Sequence, residues 1–142
     1  MAEFIFKDMV QKKGLADLFY ISSAATSTEE IWNGVGNPVY PPAREELAKH
    51  GISCKGKRAV QITKNDYGKY DYILGMDQWN MKNMMRILCT DPDSKVKLLL
   101  DYSERPRDIA DPWYTGNFTL TYSDIVEGWE SFLQYLEENG II

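Results

Sequence analysis

Apolar residues recur along this chain at two spacings, and the spacings divide it into elements. Phe4, Ile5, Met9 and Val10 fall on one face of a helix, and Gly14 is a natural stop. Leu18, Phe19, Tyr20 and Ile21 form a short apolar run, the pattern of a strand covered on both faces. Residues 29–42, with Gly34, Gly36 and three prolines, read as an extended loop. Pro42 can open a helix, because its missing N–H would be unpaired in a first turn anyway, and that helix closes at His50-Gly51. Thr63 and Asp66 have the spacing of a capping box, with Asp in place of the preferred Glu or Gln. Residues 72–76 predict another strand, and Asp77 caps a helix whose apolar stripe is Met81, Met84, Met85 and Leu88. A further strand is predicted over residues 96–100. The last helix is the clearest: Tyr122, Ile125, Val126, Trp129, Phe132, Leu133 and Leu136 keep one face apolar. Strands alternating with helices predict an α/β domain with a parallel sheet, occupying residues 1–142 as one unit.

Composition narrows the class without naming a function. A chain of 142 residues that is 44% hydrophobic and 26% charged has the size and balance of one globular domain. Its formal charge of −5 gives no electrostatic reason to expect nucleic acid or an anionic membrane as partner. No apolar run approaches the roughly 20 residues that span a bilayer, and the N-terminus lacks a basic-then-apolar signal pattern. Cys54 and Cys89 do not suggest a disulfide framework, so a cytoplasmic location is expected. With His50 as the only histidine, Cys/His metal sites and histidine triads have little to draw on, and neither metal nor cofactor is expected.

Candidate chemistry concentrates at Asp111-Pro112-Trp113-Tyr114-Thr115-Gly116-Asn117-Phe118. Alone, an Asp-Pro pair signals a turn. Gly34-Val35-Gly36-Asn37 is too short and misplaced for a dinucleotide fingerprint, and Lys55-Gly56-Lys57-Arg58 reads as a solvated basic loop. The Asp111 segment, however, resembles the acid loop of the low-molecular-weight protein tyrosine phosphatases. Other segments resemble the same family, in order and at its spacing. They are Met1-Ala2-Glu3-Phe4-Ile5-Phe6, Ser22-Ser23-Ala24-Ala25-Thr26-Ser27, the stretch from Asn37-Pro38 to His50-Gly51-Ile52, Gln61 to Tyr67, and Asp71 to Asp77. The resemblance runs from Met1 to about Leu136.

That resemblance implies Asp111 as the acid that protonates the leaving phenol, and Trp113 and Tyr114 as walls of the slot that receives it. Ser23 and His50 match polar residues that support the phosphate loop. Asn117 stands where an acidic residue is common, and carries no catalytic weight. The family attacks phosphate with a cysteine in a Cys-x5-Arg loop, through a phosphocysteine intermediate. No such loop occurs here: the positions where Cys54 and Cys89 would need their arginine hold Val60 and Lys95. The chain as written is therefore expected to be inactive. Either an upstream segment is missing from the sequence as written, or the chain is a non-enzymatic relative acting as an interaction protein. The partner implied for a form with the loop restored is a phosphoprotein or phosphopeptide.

The resemblance also implies a three-layer α/β/α fold with four parallel strands in the order 2-1-3-4, here lacking the central first strand. For the isolated chain three outcomes are expected. Residues 18–21 pair directly with 72–76, strands are exchanged in an oligomer, or folding is poor. The first two keep residues 96–100 beside 72–76.

Overall fold

The structure is a computed structural model that describes residues 1–27, 31–32 and 34–142. It opens with helix α1 (Ala2–Lys12), followed by a 3₁₀ turn at Ala16–Leu18 and a short antiparallel hairpin of β1 (Ile31–Trp32) and β2 (Val35–Gly36). Then come α2 (Pro41–Lys49), the single turn α3 (Asp66–Lys69), β3 (Ile73–Gly75), α4 (Gln78–Leu88) and β4 (Val96–Leu98). A 3₁₀ turn at Leu99–Tyr102, the short helix α5 (Pro112–Thr115) and the long helix α6 (Phe118–Glu138) complete it. Part of the loop expected over 29–42 falls on residues 29, 30 and 33, outside the described residues; the rest includes the β1–β2 hairpin and the start of α2.

The fold is α/β. Strands β3 and β4 run parallel, with Ile73 opposite Val96, Leu74 opposite Lys97 and Gly75 opposite Leu98. This is the pairing expected of residues 72–76 and 96–100. Successive residues of a strand face opposite sides, so Ile73 joins Met84, Leu88 and Val96 beneath α4, while Leu74 packs with the larger cluster under α1 and α6. Helices thus cover both faces of the pair.

The larger cluster is organised by α6. Its buried face of Ile125, Trp129, Phe132, Leu133 and Leu136 meets Ile5, Phe6 and Val10 of α1. Phe6 stacks on Trp129 with ring centroids 4.1 Å apart, and the indole N–H of Trp129 donates to the Ala2 carbonyl at 3.1 Å. Buried Gly128 lets α6 approach the 3₁₀ turn: a Cβ there would lie 2.5 Å from Cγ of Leu99.

Two expectations are corrected. Residues 18–21 are not a strand: Leu18 ends the 3₁₀ turn, and the chain continues extended without a ladder. A strand exists only where a neighbour accepts from its N–H groups and donates to its C=O groups. Among the described residues β3 pairs with β4 alone, so the direct pairing of 18–21 with 72–76 does not form. Phe19 and Ile21 still pack on the core cluster, whereas Leu18 and Tyr20 are exposed. Further on, Ala25 bridges Gln61 in parallel sense. The last strand is also shorter than residues 96–100, because Asp101 accepts from the Leu98 N–H at 2.9 Å and turns the chain.

Candidate functional site

Asp111 sits where the chain returns from the sheet and enters α5. Its carboxylate caps that helix, Oδ1 accepting from the Trp113 N–H at 2.9 Å, and Pro112 fills the first helical position, which needs no N–H donor. Gly116 ends the turn in the left-handed conformation (φ 72°), and its N–H donates to the Pro112 carbonyl at 2.8 Å. Asn117 then caps α6, accepting from the Leu120 N–H at 3.0 Å. Asp111 is exposed, and its Oδ2 has no partner among the described residues. A carboxylic acid held in this way can hand a proton to an oxygen placed above it.

Aromatic rings stand beside the acid. Trp113 and Tyr114 are 60% and 83% exposed, so neither is there to fill the core. The Tyr40 ring, at the N-cap of α2, lies 4.7 Å from Trp113 and 6.0 Å from Phe118. Tyr40, from a segment far away in sequence, thus meets two rings of the 111–118 stretch. Tyr40 was not singled out from the sequence. Its one local signal is a large aromatic directly before Pro41-Pro42, which fixes the approach to the helix.

Ser23 and His50 are placed in different clusters. The Ser23 hydroxyl donates to Glu3 Oε1 at 2.8 Å, and the Glu3 carboxylate also receives Lys57 at 2.9 Å and Lys7 at 2.7 Å. Lys57 reaches the Ser23 carbonyl as well, at 3.2 Å. Glu3 is only 5% exposed, so burial works to raise its pKa, but the hydrogen bonds from Lys7, Lys57 and Ser23 prevail and hold it at about 2. Neither Glu3 nor Lys57 stood out in the sequence, since each looks like an ordinary solvated charge.

His50 lies flat on Tyr122 of α6, ring centroids 3.6 Å apart, and its Nε2 is 3.1 Å from Glu46 Oε2. The other oxygen of buried Glu46 accepts from the Thr119 hydroxyl at 2.7 Å. Thr119, against the opposing effect of burial and with help from His50 and Lys49, holds Glu46 below the usual carboxylate range. His50 therefore braces α2 against the first turns of α6. Among the described residues no hydrogen bond or ring contact joins Ser23, His50 and Asp111 to one another.

Among the described residues neither cysteine shares a hydrogen bond with the acid. Cys54 is buried at the lining of an open cleft of about 460 Å³ with Arg44 and Lys57, a cleft that includes none of Asp111, Trp113 or Tyr114. Cys89 is exposed at the end of α4 with a positive φ of 70°. Among the described residues no three His, Cys, Asp or Glu side chains are placed to share a metal ion, and no helix is long and apolar enough to cross a membrane.

Against known proteins, residues 1–141 match the sequence pattern of the family "Low molecular weight phosphotyrosine protein phosphatase". The chain belongs to the low-molecular-weight protein tyrosine phosphatase family. It is 36% identical over 140 residues to the low molecular weight protein-tyrosine-phosphatase YfkJ of Bacillus subtilis, a match covering 97% of this chain and 87% of that protein. The mouse low molecular weight phosphotyrosine protein phosphatase is 34% identical over 139 residues, covering 94% and 85% respectively. The crystal structure of YfkJ superimposes with a TM-score of 0.88 at 34% identity, over 97% of this chain and 86% of that one. The α/β architecture of this phosphatase relative is thus the family's own.

Proposed function

We propose that this chain carries the acid and slot side of a phosphatase site for phosphotyrosine-like monoesters. Asp111 is the general acid, Trp113 and Tyr114 hold the aromatic leaving group, and Ser23 and His50 support the phosphate loop in a form that carries one. The observation that carries this reading is the Asp111–Phe118 loop: an exposed carboxylate capping one turn of helix, flanked by exposed aromatic rings.

In this reading the nucleophile belongs to a Cys-x5-Arg loop, which the 142 residues do not contain. The thiolate attacks phosphorus, the arginine fork and backbone N–H groups hold the phosphoryl oxygens, and Asp111 protonates the departing phenolate oxygen. Water then releases phosphate from the phosphocysteine. Neither Cys54 nor Cys89 can replace that cysteine, because the positions that would carry its arginine hold Val60 and Lys95. The 142 residues alone are therefore inactive, and the substrate of a form with the loop restored is a phosphoprotein or phosphopeptide.

The test is hydrolysis of phosphotyrosine by the 142-residue chain and by a form with a relative's Cys-x5-Arg segment joined ahead of Met1. Phosphate release is expected from the second form only. Release by the first, abolished by Cys54→Ser or Cys89→Ser, would overturn the reading. So would a folded second form that releases none.

A further inference from the structure

One side of α6 carries Thr121, Asp124 and Glu127, three residues apart and hence in one row along the helix. The segment leading to Asp111 runs down this row. The Ser103 hydroxyl donates to Glu127 Oε2 at 2.6 Å. Arg107 then places both terminal guanidinium nitrogens on Glu127, Nη1 to Oε2 at 2.8 Å and Nη2 to Oε1 at 3.2 Å, while Nη2 also reaches Asp124 Oδ1 at 3.0 Å. Nη1 turns back to the Arg105 carbonyl at 2.9 Å. Further on, Ile109 is buried and its N–H donates to the Met76 carbonyl at 2.8 Å, and the Thr121 hydroxyl donates to the Ala110 carbonyl at 3.1 Å. Beyond Gly116 the chain re-enters α6 itself.

The loop bearing Asp111 is thus fastened at both ends to the same helix, and its entry is held by an arginine fork. An isolated surface ion pair contributes little, but a two-pronged arginine–carboxylate contact inside a network is the exception. We propose that Arg107 is a positioning residue: it sets where the Asp111 carboxylate stands by clamping the approach to the acid loop along α6. The proposal rests on Asp111 being the general acid. Arg107 reaches no substrate; it acts through the five-residue path from 107 to 111, of which Ile109 and Ala110 supply the other anchors.

Amide hydrogen exchange of the 142-residue chain reads the clamp without requiring activity. Arg107→Ala is expected to speed exchange at the Trp113, Tyr114, Thr115 and Gly116 amides about tenfold, while amides of Ile125 to Leu133 keep their protection. Arg107→Lys keeps the charge but loses the fork, and recovers only part of the protection. Asp124→Asn, which weakens one prong at constant shape, gives a smaller change of the same pattern and serves should the alanine variant fold poorly. Unchanged exchange in the loop, equal acceleration along α6, or full recovery by lysine would each overturn the proposal. In the form with the Cys-x5-Arg segment added, Arg107→Ala should lower kcat for phenyl phosphate more than for p-nitrophenyl phosphate, with KM preserved. Equal losses on both would overturn it. If that form has no turnover at all, the acid role of Asp111 falls, while the exchange result still decides whether Arg107 clamps the loop.

Discussion

The rings of Tyr40 and Trp113 lie 4.7 Å apart with their planes inclined at 53°, joining the N-terminus of α2 to the loop that carries Asp111. The contact sets the N-cap residue of α2 against a ring of the loop that Asp111 opens. Both residues remain substantially exposed, Tyr40 at 45% and Trp113 at 60%, so the pair is available to a flat ligand. Removing one partner of such a pair forfeits about 0.5–1.5 kcal/mol beyond the buried area. In the form with the nucleophile loop added, Tyr40→Ala is therefore expected to raise KM for aryl phosphates severalfold and to leave kcat far less affected. Steady-state kinetics decides; an unchanged KM removes Tyr40 from the slot.

Gly128 makes α6 sensitive to a single methyl group. The Cβ of an alanine there would meet Leu99 Cγ at 2.5 Å and Cδ2 at 2.9 Å, and Leu99 has no exposed surface through which to retreat. Overpacking of this kind costs about 1–3 kcal/mol, against about 1 kcal/mol gained from alanine's better helix propensity. Urea denaturation of Gly128→Ala should show a net loss of stability. Combined with Leu99→Ala, which destabilises by itself because Leu99 is fully buried, the loss should come to less than the sum of the two, and fully additive losses would argue against the contact.

Acid should loosen the start of α1. Glu3 is held at about 2, below its ordinary 4.5. A carboxyl depressed on folding adds stability that is fully present above pH 4.5 and is lost as pH falls toward 2. Urea midpoints measured from pH 7 down to pH 2.5 should fall across that interval. Glu3→Gln should start lower at pH 7 and decline less steeply. A variant with the parent's full pH slope would show that Glu3 is not the group responsible.

Much of the fold was legible because helical periodicity is local. The stripes through Ile5 and Val10, through Met84 and Leu88, and through Ile125 to Leu136 all face the core. Asp77 caps α4 as its residue type suggested, accepting from the Asn80 N–H at 2.8 Å, and Asp66 accepts from the Thr63 N–H at 2.9 Å. Residues 18–21 were misread because an apolar run fixes neither cover on both faces nor a neighbouring backbone: Phe19 and Ile21 reach the core, while Leu18 and Tyr20 stay exposed and no strand pairs with the run. At the site, the single turn of helix that Asp111 caps agrees with the turn signalled by Asp111-Pro112. Tyr40 over Trp113, Lys57 on Glu3 and Arg107 on Glu127 were not legible, since each joins residues distant in the chain through side chains that look solvent-facing in isolation.

Asp111, as general acid, delivers a proton to the leaving oxygen, so the choice of leaving group probes its role. In the form bearing the Cys-x5-Arg segment, Asp111→Asn should lower kcat for phenyl phosphate by about 10²–10⁴-fold, the usual worth of general acid help, with binding little changed. The loss should shrink markedly for p-nitrophenyl phosphate, whose phenolate departs with less need of a proton. Equal losses on the two substrates would contradict the account and remove Asp111 from the acid role.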